Sequence, residues 1–145
     1  MNENHRHEVN IPVWANLAHT AARVEARLEA ALADTGLSLA KFAVLEQLMK
    51  AGEPLLLTRL SERLSCCKSN ITQLIDRLEA DSLVQRVDAP EDRRSVLAAL
   101  TAEGRRRYEI GSRTLAAAEQ GLLKSFEGGE LELLNKFLGR FNTTE

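Results

Sequence analysis

Midway along the chain the hydrophobic period changes, and that change leaves few folds open. From Lys68 to Ala80, Ile71, Leu74, Ile75 and Leu78 fall on one helical face, with Lys68, Asn70, Gln73 and Arg77 largely on the other. Directly afterwards, Leu83 to Val87 and Ser95 to Leu100 are short β-compatible runs. They are joined by Asp88–Arg94, a polar segment with a proline that reads as the turn of a two-stranded ribbon. A lone hairpin is marginal in water, so this one has to lean on the helices before it.

The flanks are helical. Beyond Pro12, a good first-turn residue, Trp14, Leu17, Ala21, Val24, Leu28 and Ala31 recur at steps of three and four, the seam of one long helix ending near Gly36. Ser38 suits the N-cap of a second helix that carries Phe42, Leu45 and Leu48 to a stop at Gly52. Thr58 is expected to cap a short third helix burying Leu60 and Leu64. Thr101 is expected to cap a long helix running toward Phe126. After a break at Gly128-Gly129, a last amphipathic helix carries Leu131, Leu134, Phe137, Leu138 and Phe141. The fold class is therefore mainly α with a small β-wing, in one structural unit of 145 residues. Within it, residues 37–100 form a compact middle. Residues 11–33 and 102–142 form helices whose apolar stripes exceed what so small a middle can cover, and a second copy of the chain is their natural partner. A homodimer is expected.

Two short helices followed by a ribbon with a charged tip make a winged helix-turn-helix, whose second helix presents its outer face to the DNA major groove. Lys68, Ser69, Asn70 and Gln73 lie near the start of that helix, where base edges are reached, and Asn or Gln can bond adenine in bidentate fashion. Thr72 and Arg77 are spaced for the phosphate backbone. At the ribbon tip an arginine of the Arg93-Arg94 pair, held by an acid such as Asp92, could reach a narrow minor groove. The charge count gives no help: 19 basic against 21 acidic residues leave a net charge of −2, and Arg59 to Arg94 holds seven of each sign. DNA binding then requires that the two signs be sorted in space. The same balance permits a winged-helix module that docks a protein and binds no DNA.

The segment from Leu60 to Glu109 resembles the helix-turn-helix and wing signature of the MarR family, the multiple-antibiotic-resistance type of bacterial regulators. The resemblance rests on Asp-Arg-Leu-Glu at Asp76–Glu79, Leu-Val-x-Arg at Leu83–Arg86, Asp-Arg-Arg at Asp92–Arg94 and Leu-Thr-x-Glu-Gly at Leu100–Gly104, with Gly-Leu-Ser-Leu-x-x-Phe at Gly36–Phe42 upstream. It implies a homodimeric winged-helix transcription factor, usually a repressor, that binds palindromic operator DNA and responds to a small phenolic molecule or an oxidant. It further implies that Asp92 and Arg94 are the wing's DNA-contacting pair and that Lys68 to Arg77 is the recognition helix. One departure stands out: where the family often has Gly before the first ribbon strand, this chain has Ser82, so Asp81 or Ser82 must make a left-handed turn.

For the small aromatic effector the resemblance points to a cleft between the first helix and the winged region. Trp14 and Phe42 are candidates to line it, and His19 and Arg23, one helical turn apart, could receive a carboxylate. Adjacent Cys66 and Cys67 suit neither an ordinary disulfide nor a metal knuckle. Cys67, at a helix start beside Lys68, has the setting of a lowered thiol pKa and is a redox candidate. His5 and His7 lack a third ligand, so no metal is expected, and no cofactor motif is present. No phosphate loop, metalloprotease motif or nucleophile elbow argues for an enzyme. No apolar run reaches membrane-spanning length, and Met1–Asn10 is polar, so a cytoplasmic chain without membrane contact is expected.

Overall fold

The computed structural model describes residues 11–64 and 71–143, with Arg93 described by its backbone. The first helix, α1 (Val13–Leu32), runs into a 3₁₀ turn at Ala33–Thr35 that Gly36 closes. α2 (Leu39–Ala51) starts as expected at Ser38, whose hydroxyl accepts the Lys41 N–H at 3.1 Å. It stops at Gly52, which takes the left-handed conformation (φ 67°) that a side chain would resist. A second cap ties α2 to α1: the Glu29 carboxylate accepts the Leu39 N–H at 2.6 Å.

The middle of the chain differs from the sequence reading in three places. Leu55–Leu56 form a short strand, β1, absent from the sequence reading. α3 (Leu57–Arg63) follows it without a break, so Thr58 lies inside the helix and caps nothing. After α4 (Ile71–Ala80), the wing strands β2 (Val84–Ala89) and β3 (Asp92–Leu100) take in most of the segment expected to be turn, leaving Pro90-Glu91 at the tip. The sheet is antiparallel in the order β1-β3-β2, with Leu55 opposite Ala98 and Arg86 also opposite Ala98 on the other edge. A register shift at Asp88/Ala89 marks an irregular tip. The ribbon leans on a third strand as well as on helices.

α5 (Ala102–Leu123) and α6 (Glu130–Asn142) complete the chain. Thr101 caps α5 through the Gly104 N–H at 2.9 Å while its hydroxyl donates to the Ser82 carbonyl at 2.7 Å. Gly104 has to be glycine for a steric reason, since a Cβ there would stand 2.0 Å from the Leu83 carbonyl oxygen. The start of α5 is thereby seated on the turn between α4 and β2.

The apolar core gathers Val44, Leu45 and Leu48 of α2, Leu60 of α3, Leu74, Ile75 and Leu78 of α4, and Val84 and Ala98 of the sheet. By contrast α1 buries only Leu32, and α6 buries no residue. Trp14 is 74% exposed and Phe141 62%, with Leu133, Phe137 and Leu138 also open to solvent. No described helix is long and apolar enough to cross a membrane.

Candidate nucleic-acid interface

Burial of Leu74, Ile75 and Leu78 fixes which side of α4 faces outward. At about 100° per residue, the exposed surface divides into two stripes. Thr72, Asp76 and Glu79 lie on one flank, and Gln73 and Arg77 on the other.

The two acids of the first stripe are bound to the wing. Arg86 of β2 pairs with Asp76, and its Nη1 donates to Glu79 Oε1 at 3.0 Å. The other Glu79 oxygen accepts the Arg86 backbone N–H at 2.9 Å, so both oxygens of one carboxylate are held by one residue. These bonds, the one to Asp76 foremost, raise the Arg86 pKa above its ordinary value and keep the guanidinium charged. The Asp-Arg-Leu-Glu and Leu-Val-x-Arg motifs therefore meet in space as a clasp between α4 and the wing root. Sequence reasoning quoted both motifs and assigned Arg86 no part. Its signal was two acids three residues apart on the outer face of a helix, followed by a lone arginine in the next strand.

A second pair acts one turn further on. Lys41 Nζ of α2 lies 2.7 Å from Asp81 Oδ2, just before Ser82. Ser82 makes the left-handed turn (φ 61°), one of the two residues expected to do so.

At the wing tip Asp92 holds the backbone of Arg94, one of the two arginines it was expected to hold by the side chain. Its carboxylate accepts the backbone N–H of Arg94 at 2.9 Å and the Ser95 hydroxyl at 3.1 Å, and so shapes the turn. Four acids of the winged region, Asp76, Glu79, Asp81 and Asp92, thus have internal partners. Arg77 and Arg94 are exposed and form no ion pair among the described residues. Asp88 and Glu91 of the wing are exposed as well and form no ion pair among the described residues, so pairing takes some of the acids off the surface without separating the two signs. Lys68, Ser69, Asn70, Cys66 and Cys67 lie outside the described residues, as do His5 and His7.

Of the residues expected around an effector, the structure brings Phe42 to a cleft and leaves three elsewhere. Phe42 stacks on Tyr108 with ring centroids 5.2 Å apart. It lines a cleft of about 480 Å³ with Val24 and Leu28 of α1, Glu46 of α2, and Leu115 and Glu119 of α5. Trp14, His19 and Arg23 are exposed on α1 and do not line it.

A family model described as MarR family matches residues 35–95. The uncharacterized HTH-type transcriptional regulator YkoM of Bacillus subtilis is 35% identical over 105 residues, covering 70% of this chain and 68% of YkoM. The chain belongs to the MarR family. It is thus a MarR-type transcriptional regulator and not an enzyme. Two solved structures match the fold closely. A mutant MarR from E. coli complexed with operator DNA superposes with a TM-score of 0.79 at 24% identity, covering 90% of this chain and 94% of that one. CouR from Rhodococcus jostii RHA1, bound to p-coumaroyl-CoA, gives 0.76 at 25% identity, covering 92% and 94%. Both likenesses span the terminal helices as well as the winged region.

Proposed function

We propose that this regulator works as a homodimeric repressor that binds palindromic operator DNA and is released when a small molecule enters the cleft beside Phe42. Residues 37–100 act as the DNA-binding winged helix, and residues 11–33 and 102–142 pair with those of a second chain. The observation that carries the reading is the division of α4: its acids are turned to Arg86 of the wing, while Gln73 and Arg77 face outward with no carboxylate paired to them among the described residues. Gln73, with Lys68, Ser69 and Asn70 before it, reads base edges in the major groove; Thr72 and Arg77 hold phosphates. Asp92 shapes the wing tip so that Arg93 and Arg94 reach the flanking backbone or minor groove. Two such helices related by a twofold axis enter grooves about 34 Å apart, and a duplex so occupied is closed to polymerase. The operator DNA in the E. coli MarR complex supports this reading. The exposed apolar faces of α1 and α6 support the dimer.

The test is a gel shift on the DNA upstream of the protein's own gene, followed across a salt series. The wild-type chain is expected to retard it. Arg94→Ala is expected to lower affinity and to reduce the slope of log K against log salt by about one, because one neutralised phosphate no longer releases its counterion. Absence of any retardation would overturn DNA binding and leave a protein-docking module. An unchanged slope would remove Arg94 from the interface.

A further inference from the structure

The chain passes between its terminal helices and the winged region twice, at Gly36-Leu37 and at Leu100-Thr101, and bonds reach across both crossings. At the second, Thr101 donates to the Ser82 carbonyl, and Gly104 lies too close to the Leu83 carbonyl for any side chain to fit between them. At the first, two charged side chains of the terminal helices close on the main chain. Glu29 of α1 accepts the Leu39 N–H at 2.6 Å, ten residues further along. Arg107 of α5 donates from Nη1 to the Thr35 carbonyl at 2.7 Å, while its Nη2 donates to Glu103 Oε1 at 3.3 Å, which aims the guanidinium. Gly36 leaves room for it: a Cβ there would stand 2.9 Å from Arg107 Nη1. A short turn closed by a left-handed glycine (φ 74°) is where such a chain bends most easily. Here that turn is held from both sides by charge-assisted, part-buried hydrogen bonds, which are stronger than neutral ones.

We infer that Glu29 and Arg107 are positioning residues that set the half-site spacing this regulator accepts, by locking the winged region to its terminal helices across the Gly36 turn. The inference rests on the reading of the protein as a dimeric DNA binder and adds which side chains measure the distance between its two half-sites. In a dimer the terminal helices join the two readers, so any bend at the Gly36 turn changes the separation of the reading helices. On B-DNA one added base pair moves a half-site by about 3.4 Å along the duplex and turns it by about 35° around the axis. A locked joint cannot follow that displacement without losing the bond at Thr35 or at Leu39. An unlocked Gly36 turn absorbs it through φ and ψ. Both bonds end on backbone atoms, so the two side chains act through the main chain they hold. Gly111 keeps α5 against the same junction, since a Cβ there would stand 2.9 Å from Leu37 Cδ1.

Selection of bound sequences from random duplexes supplies the test site, and the full-length wild-type chain is expected to enrich paired half-sites at one spacing. Fluorescence anisotropy then compares that duplex with one lengthened by a base pair between the half-sites. Wild type is expected to bind the longer duplex about tenfold more weakly, and Glu29→Ala/Arg107→Ala only about threefold or less. Glu29→Gln, whose amide oxygen can still accept the Leu39 N–H, is expected to keep the wild-type ratio. A purely structural role would weaken binding to both duplexes by the same factor, so the ratio reports positioning. Glu29→Ala alone opens a single N–H to water and is expected to lower the ratio in the same direction, which keeps the test valid if the double variant does not fold. A tenfold ratio kept by the alanine variants, a wild-type ratio near one, or Glu29→Gln behaving as Glu29→Ala would overturn the inference and leave dimeric DNA binding standing. Enrichment of unpaired half-sites by wild type would instead bring down the dimeric reading itself, and the inference with it.

Discussion

The winged middle of the chain and its terminal helices spend the same kinds of residue in opposite ways. In the middle, leucines from α2, α3, α4 and the sheet close on one another until Leu45, Leu60, Leu78 and Leu83 are wholly out of water. In α1 and α6 a similar density of apolar residues stays open, and Trp14, Phe137 and Phe141 face solvent. The first region finishes its fold within one chain, whereas the second leaves an apolar surface open, which the proposed dimer would cover. A region that is complete alone can be aimed rigidly at DNA. A region that is incomplete alone can couple two such readers and respond to what enters between its helices.

The strongest challenge to this division is a pair of substitutions, one in each region. Leu78→Ala, in the core, is expected to lower the stability of the whole chain by about 3 kcal/mol, read from urea denaturation, since it empties a fully buried site that neighbours refill only in part. Leu138→Glu, on α6, is expected to leave the far-UV circular dichroism of the winged region intact and to convert the protein to a monomer in sedimentation velocity. Global unfolding by Leu138→Glu would erase the distinction between the regions.

A smaller effect sharpens how the middle is aimed. Arg86→Ala removes the clasp between α4 and the wing and leaves Asp76 and Glu79 unneutralised beside the reading surface. Stability should fall by only about 1 kcal/mol, because the pairs are partly solvated. Operator affinity should fall by about tenfold, a drop of about 1.4 kcal/mol, seen by fluorescence anisotropy. Equal losses from Arg86→Ala in stability and none in affinity would make the clasp a matter of folding alone. Smallest of all, Ser82→Gly should raise stability by about 1 kcal/mol in the same urea assay, because Ser82 holds a positive φ that glycine adopts without strain. A loss of stability would show that the Ser82 turn is not strained.

The division between regions also explains what could be read from the sequence. The helices announced themselves by caps and stops, namely Ser38, Gly52 and Thr101, and by seams of apolar residues, because long periodic elements repeat their signal several times. β1 spans two residues and has no period to detect. The wing was legible as a ribbon, but its tip, Asp88–Arg94, read as a polar turn because it has no core face to bury. Asp92, Arg93 and Arg94 therefore broke the expected alternation although all three belong to β3, with Asp92 paired to Ala89. The acids and arginines of the site were visible as residue types, yet the Arg86 clasp and the grip of Asp92 on the Arg94 backbone depend on tertiary geometry. Phe42, singled out for a cleft between the first helix and the winged region, does line one. Trp14, His19 and Arg23 follow the helical spacing that suggested them and fall outside the cleft because α1 passes it with a different face.

The mass of the complex formed with operator DNA tests the whole construction in one experiment. Sedimentation equilibrium of the wild-type chain with a short duplex from its own upstream region should give two chains per duplex, with Leu138→Glu forming no stable complex at the same concentration. A single chain bound per duplex, or Leu138→Glu binding as tightly as wild type, would contradict the account of a self-sufficient reader coupled through an interface that one chain cannot complete.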